Sequence, residues 1–324
     1  MIFARPPVLS LPPVPVTLAV AAAMLWWAVP LAVESIGPVA GLAALAMAVH
    51  HLLTRLDAPQ PDRAAALLLL LPSILLNAGL PGPSDALWAV PCLIALAALV
   101  ERRHAAMLGW FGLALGLSAQ ALLIAPFFLA LLINRRVPFR LWPIAPTAAA
   151  ATMLALWAAG RPGFDLQMAG YPALSSDAPN IWAILQALPL GLPLIGLALA
   201  AAIGATAAYT ARFSAQILDK RALLSAALLA PLVMAGLLPG MSERCFLLAD
   251  ILALAVALSY RDKTSWTTAI LVQAGSTLAV LGTLSGVAGL AMLGGVATIV
   301  ATLRVARSLL NRAANDNPLM VRTV

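Results

Sequence analysis

The chain has 324 residues, of which 63% are hydrophobic and 10% charged, and its mean hydropathy is +0.99. A soluble domain carries roughly 25% charged residues and needs them to cover its surface, so this composition excludes a water-soluble enzyme or regulator. The net charge of +7 would suit a nucleic-acid partner in a soluble domain. Here the cations sit in short loops between apolar runs, where they act as topology signals, and no nucleic-acid partner is expected. The expected fold is an all-α polytopic membrane bundle.

The first apolar run, residues 16–33, is long, lacks a clear small-x-small cleavage site and leads into further runs. It reads as a retained helix rather than a signal peptide. Further candidate spans follow at 37–54, 63–80, 86–100, 104–117, 121–134, 140–159, 189–210, 222–239, 246–260, 265–283 and 286–303. At about 20 residues per crossing, this predicts about 10 to 12 transmembrane helices. Pro72, Pro91 and Pro126 fall inside these spans and read as tolerated kinks.

The stretch 104–134 needs separate treatment, because a continuous helix over it would run roughly 45 Å, against a hydrocarbon core of about 30 Å. Arg102 and Arg103 precede it, and Arg135 and Arg136 follow it. Two short helices turning at Ser118-Ala119-Gln120 keep both arginine pairs on one side. Such a turn belongs inside a cavity, where non-helical backbone is tolerated at membrane depth.

With the N-terminus inside, every one of the 19 Lys and Arg residues except Arg161 and Arg244 falls on the inner side. This asymmetry fixes the expected topology, with both termini cytoplasmic. Residues 1–303 form one membrane domain, and 304–324 form a cytoplasmic tail. The long outer segment, 160–188, carries Tyr171 and Trp182, which suit an interfacial position.

The same topology places Glu34, Asp85, Asp165, Asp177 and Glu243 on the outer side, with Asp250 inside the next span. Acids beside Arg244 and Arg161 at this boundary can bind a phosphate headgroup through arginine and activate a hydroxyl through a carboxylate. Short loops also need polar residues, so simple solvation is the competing reading for each acid. Glu243 and Asp250 are seven residues apart, which on an α-helix returns to nearly the same face, with Asp250 about 10 Å deeper. An acid at that depth is costly and is either functional or paired with a polar neighbour that fixes packing.

The three histidines, His50, His51 and His104, all fall on the inner side, with no metal-ligand spacing and no Ser-His-Asp arrangement. No metal ligands are assigned and no cofactor is implied. Acid-only binding of a divalent cation at the outer face is left open.

Four stretches, taken in order, resemble the bacterial GT-C superfold glycosyltransferases, multispan enzymes that take sugars from polyprenyl-phosphate donors. "LPSILLNAGLPGPSDALWAV" (71–90) is similar to the family's Asn-x-x-x-Trp-Gly-Gln-x-Asp stretch. "FGLALGLSAQALLIAPFFLALLINRR" (111–136) resembles its helix, Lys-x-Gln turn and helix. "YPALSSDAPNIWAIL" (171–185) is close to Leu-Asn-Ala-x-Asn-Leu-Trp, and "GMSERCFLLADILAL" (240–254) resembles Met-His-Glu-Arg-Tyr-Phe before a helix. Ser242, Cys245, Ser118 and Pro83 stand where the family shows His, Tyr, Lys and Gln.

The resemblance implies a helical bundle in the bacterial inner membrane whose partners are a polyprenyl-phosphate sugar donor, membrane lipids and a glycan or lipid acceptor. It implies substrate contacts at Glu243, Arg244, Gln120, Asp250, Asp177 and Asn180, with Arg244 toward the donor phosphate. The catalytic acid is expected at Asp85, or at Glu34 in the first outer loop, "ESIGP" (34–38). Relatives carry a longer first outer loop with an acid, so the resemblance also implies that this chain begins late or has lost that element. A non-catalytic binder of a lipid-linked glycan or a partner enzyme, and a transporter or flippase, are the competing functions.

Overall fold

The computed structural model describes residues 36–79, 86–134, 137–159, 178–188, 194–216 and 218–315. The expected span at 16–33, together with Glu34, Asp85, Arg161, Tyr171 and Asp177, lies outside them. The described chain is helical, with no β-strand, as the composition requires of a lipid-solvated protein. Five of its helices are long and apolar enough to cross a membrane, and three shorter apolar ones accompany them. The protein is an all-α polytopic membrane protein.

Helix α1 (Ile36–Arg55) ends in a basic residue that complements the helix C-terminus. The expected span at 63–80 is instead two eight-residue helices, α2 (Pro61–Leu68) and α3 (Pro72–Gly79). Pro72 is therefore not a kink within a span. It has no N–H to continue α2 and it disfavours helical backbone at Leu71, so the chain breaks and restarts with proline at the first position. The Leu71 carbonyl accepts from the Ile74 and Leu75 amides, at 3.1 and 3.0 Å, so it is not left unsatisfied. Neither piece is long enough to cross.

Helix α4 (Ala86–Val100) is buried at every position except Leu87 and Val100, and tolerates Pro91 in its interior. It is apolar all round because protein surrounds it. Helix α5 (His104–Leu117) stops at Ser118, whose extended backbone lets its hydroxyl accept from the Gln120 amide. A 3-10 helix (Ala119–Ile124) then leads into α6 (Ala125–Ile133), with Pro126 in its first turn. The turn expected at 118–120 is thus present, as a serine cap followed by a 3-10 segment.

A 3-10 turn (Phe139–Leu141) precedes α7 (Ile144–Ala158). Helices α5 and α7 meet at Gly112 and Gly116. A Cβ on Gly116 would stand 2.7 Å from the Ala149 carbonyl oxygen, and one on Gly112 would stand 2.8 Å from the Ala148 Cβ. Small residues four apart let the two backbones approach, the main source of packing energy where lipid removes the hydrophobic drive.

After the short α8 (Ile181–Leu185) comes α9 (Leu194–Ser214), which leaves Leu197 and Ile203 exposed on a lipid-type face. Helix α10 (Lys220–Leu237) is N-capped by Asp219, whose carboxylate accepts from the Ala222 amide at 2.6 Å. A 3-10 helix (Glu243–Phe246) opens α11 (Leu247–Tyr260), which is buried throughout from Leu247 to Leu258. The last pair, α12 (Lys263–Ser285) and α13 (Ala288–Asn315), turns at Gly286 with φ 70. Only glycine adopts that left-handed backbone without penalty. Residues 304–315, assigned from sequence to a tail, continue α13.

Loops assigned from sequence to one side do meet. Arg55 pairs with Glu101 at 2.5 Å, Lys220 with Asp57 at 2.8 Å and His50 with Asp62 at 3.0 Å. Asn134 donates to the Gln216 carbonyl at 2.9 Å, and the Tyr260 hydroxyl donates to the Arg221 carbonyl. Five loop segments are thereby tied together at one end of the bundle.

Because the Gly116 contact is with backbone, Gly116→Leu is expected to destabilise the protein by about 1–3 kcal/mol through overpacking. Gly204 has nothing within 4 Å of its would-be Cβ, so Gly204→Leu is expected to stay within about 0.5 kcal/mol of wild type. Denaturant-unfolding curves of the two variants in detergent would check the contrast.

Candidate functional site

Away from the loops just described, three short or 3-10 segments and one buried α-helix carry the polar residues that the sequence singles out. The first 3-10 helix holds Gln120, the start of α8 holds Asn180, the second 3-10 helix holds Glu243 and Arg244, and α11 holds Asp250. Both 3-10 helices and α8 pack against α10. Three separate stretches of sequence therefore converge on one helix.

Gln120 is 5% exposed and Glu243 8%. Arg244 reaches Glu243 through Nε, with 3.8 Å to Oε1, an ion-pair distance beyond hydrogen-bond reach. Both side chains are largely withdrawn from solvent, so their pairing offsets part of a desolvation cost that neither charge could bear alone. Ser242 and Cys245 flank them, with 3.7 Å between Oγ and Sγ.

The segment leading into α8 is held from two sides. The Asn180 side chain caps α8, its Oδ1 accepting from the Ala183 amide at 3.0 Å. The Thr298 hydroxyl on α13 donates to the Pro179 carbonyl at 2.5 Å. Gly295 clears space for this segment, since a Cβ there would stand 2.7 Å from the Asn180 carbonyl oxygen. The Trp182 indole donates to the Leu237 carbonyl at 2.7 Å, satisfying an acceptor at the C-terminal end of α10. Trp182 is only 3% exposed, so its ring is enclosed by protein. Its polar N–H found a buried carbonyl instead of headgroup water.

Asp250 is fully buried, and its Oδ1 accepts from the Ser276 hydroxyl at 2.9 Å. Its expected alignment with Glu243 assumed one α-helix across both. Residues 243–246 are 3-10, which turns about 120° per residue instead of about 100°, so Asp250 is rotated by roughly 60° from that register. The structure joins Asp250 to α12, and it joins Glu243 to Arg244.

Sequence reading passed over Ser73 and Ser276, which stand beside Asp250, and Gln273, which accepts from Ser73. The legible signal was a polar pair three residues apart, Gln273 and Ser276, on one face of this span. Among the described residues, no group of three or more His, Cys, Asp or Glu side chains could hold a metal ion.

No protein-family model matches the chain, and no curated protein sequence matches it.

Trp182→Phe keeps the ring and deletes the N–H, leaving the Leu237 carbonyl without this donor. The expected loss is about 1–3 kcal/mol of stability, with faster proteolysis in the 178–188 segment as the local readout. Unchanged cleavage there would mean that this hydrogen bond does not hold the segment.

Proposed function

We propose that the protein is a membrane glycosyltransferase of the bacterial inner membrane. It moves a sugar from a polyprenyl-phosphate donor to a glycan or lipid acceptor at the periplasmic face, and both its termini are cytoplasmic. The supporting observation is that Gln120, Asn180 and the Glu243–Arg244 pair come from three of the four ordered landmarks, and that each stands on a short or 3-10 segment packed on α10. Irregular backbone of this kind belongs inside protein or at a cavity wall.

In this reading a carboxylate, Asp85 or Glu34, removes the proton from the acceptor hydroxyl. The acceptor oxygen then forms the new glycosidic bond at the anomeric carbon. The bond from that carbon to the phosphate oxygen breaks, and its electron pair leaves with the polyprenyl phosphate, which Arg244 stabilises. Gln120, Asn180, Asp177 and Glu243 orient donor and acceptor. Asp250 is engaged with Ser276 and takes no part in this step.

A non-catalytic relative that binds a lipid-linked glycan is the second reading. It is favoured by the internal engagement of Glu243 with Arg244 and of Asp250 with Ser276.

The test compares polyprenyl-linked sugars and surface glycans by mass spectrometry in cells lacking the gene and in cells restored with wild type, Asp85→Asn or Arg244→Gln. The transferase reading expects one sugar to vanish from the glycans while its lipid-linked donor accumulates, with wild type alone reversing this. Loss of a general base typically costs about 10² to 10⁴ in rate, so Asp85→Asn should leave only residual transfer if it is the base. Full rescue by both variants would remove these residues from the reaction, and an unchanged glycan profile would overturn the transferase reading.

A further inference from the structure

The interior of the bundle contains a polar cluster that the proposed reaction does not use. Asp250 on α11 is fully buried, as are Ser73 on α3 and Ser276 on α12, and Gln273 lies one turn from Ser276 on the same helix. Ser276 Oγ donates to Asp250 Oδ1 at 2.9 Å. Ser73 stands beside the same carboxyl and donates its own proton to Gln273 Oε1 at 2.8 Å. Both hydroxyl protons are therefore committed, which leaves the serine lone pairs available.

The second oxygen of the carboxyl, Asp250 Oδ2, is buried without a hydrogen-bond partner. Among the described residues, no Lys, Arg or His forms an ion pair with Asp250. Ser276 lies about 20 Å along α12 from its Lys263 end, deep within a membrane-length helix. A lone carboxylate at that depth is costly unless something neutralises it.

The oxygen donors gathered here are hard, namely one carboxylate, two hydroxyls and one amide carbonyl, with a total charge of −1, and the Gln273 Nε2 is buried beside them without a partner. A divalent ion would leave a positive charge uncompensated, whereas a small monovalent cation balances the site. The interruption between α2 and α3, at residues 69–71, comes immediately before this cluster in the chain. Breaks in membrane helices are where backbone carbonyls become available to complete a cation's shell.

We propose that Asp250, Ser73, Gln273 and Ser276 form a buried Na⁺ site that joins α3, α11 and α12. This site stands independently of the sugar-transfer reading. The bound ion would act as a structural staple between a discontinuous helix and two membrane-embedded ones.

The experiment follows thermal unfolding of the purified full chain in detergent, with NaCl compared against KCl and choline chloride at equal ionic strength. The expected result is a saturable rise in Tm with Na⁺ alone, because an ion that binds the folded state selectively stabilises it by mass action. Asp250→Asn should abolish the response. Ser276→Ala, which keeps the acid, should move its midpoint to several-fold higher Na⁺. Equal Tm in all three salts for the wild type, the result expected if a proton neutralises Asp250, would overturn the proposal. So would a Na⁺ response that persists unchanged in either variant.

Discussion

The constraint on which the rest of this structure depends is that the hydrocarbon core offers no hydrogen-bond partners, so each backbone group must be satisfied by protein. A regular helix meets this demand by itself. Every interruption must be sheltered, and the interruptions here are sheltered in recognisable ways. The Leu71 carbonyl is taken by the amides of α3, the Leu237 carbonyl by the Trp182 indole, and the Pro179 carbonyl by the Thr298 hydroxyl. Each is a local repair whose donor comes from a different distance along the chain.

That same constraint explains the division of labour among the helices. Helices α4 and α11 are short and encased by protein, so they need not match the thickness of a bilayer. Helices α7, α9, α12 and α13 are longer or more exposed, and they carry large apolar side chains such as Leu154, Ile203, Ile270 and Leu293 on their outward faces. Between lipid-facing helices the hydrophobic effect gives little preference, so close approach at small residues becomes the organising contact. Gly275 and Gly294 serve the α12–α13 pair as Gly112 and Gly116 serve α5 and α7. A Cβ on Gly275 would stand 2.9 Å from the Gly294 carbonyl oxygen.

The polar interior follows from this geometry. Buried acids persist only where a partner is within reach. Glu243 has Arg244 next to it in sequence, whereas Asp250 depends on Ser276, twenty-six residues away. The first arrangement is local and keeps two charges together at a helix start. The second requires α11 and α12 to be packed correctly, which makes Asp250 a reporter of tertiary structure as well as a candidate ligand.

The sequence by itself determined the fold class, because 10% charged residues cannot solvate a globule of this length, and because hydropathy marks apolar runs independently of their neighbours. It also determined the turn at 118–120, through the arginine pairs on either side, and it singled out the polar residues of the candidate site through their rarity. The tertiary structure decided which prolines interrupt an apolar run, since the chain breaks before Pro72 and continues through Pro91. It also decided where Trp182 points and what Asp250 bonds. An amphipathic indole is equally satisfied by headgroup water or by a buried carbonyl, and a buried carboxyl by a hydroxyl from any adjacent helix. Those choices depend on which helices the small residues bring together, and contacts between distant segments leave only a faint trace in the pattern of a single chain.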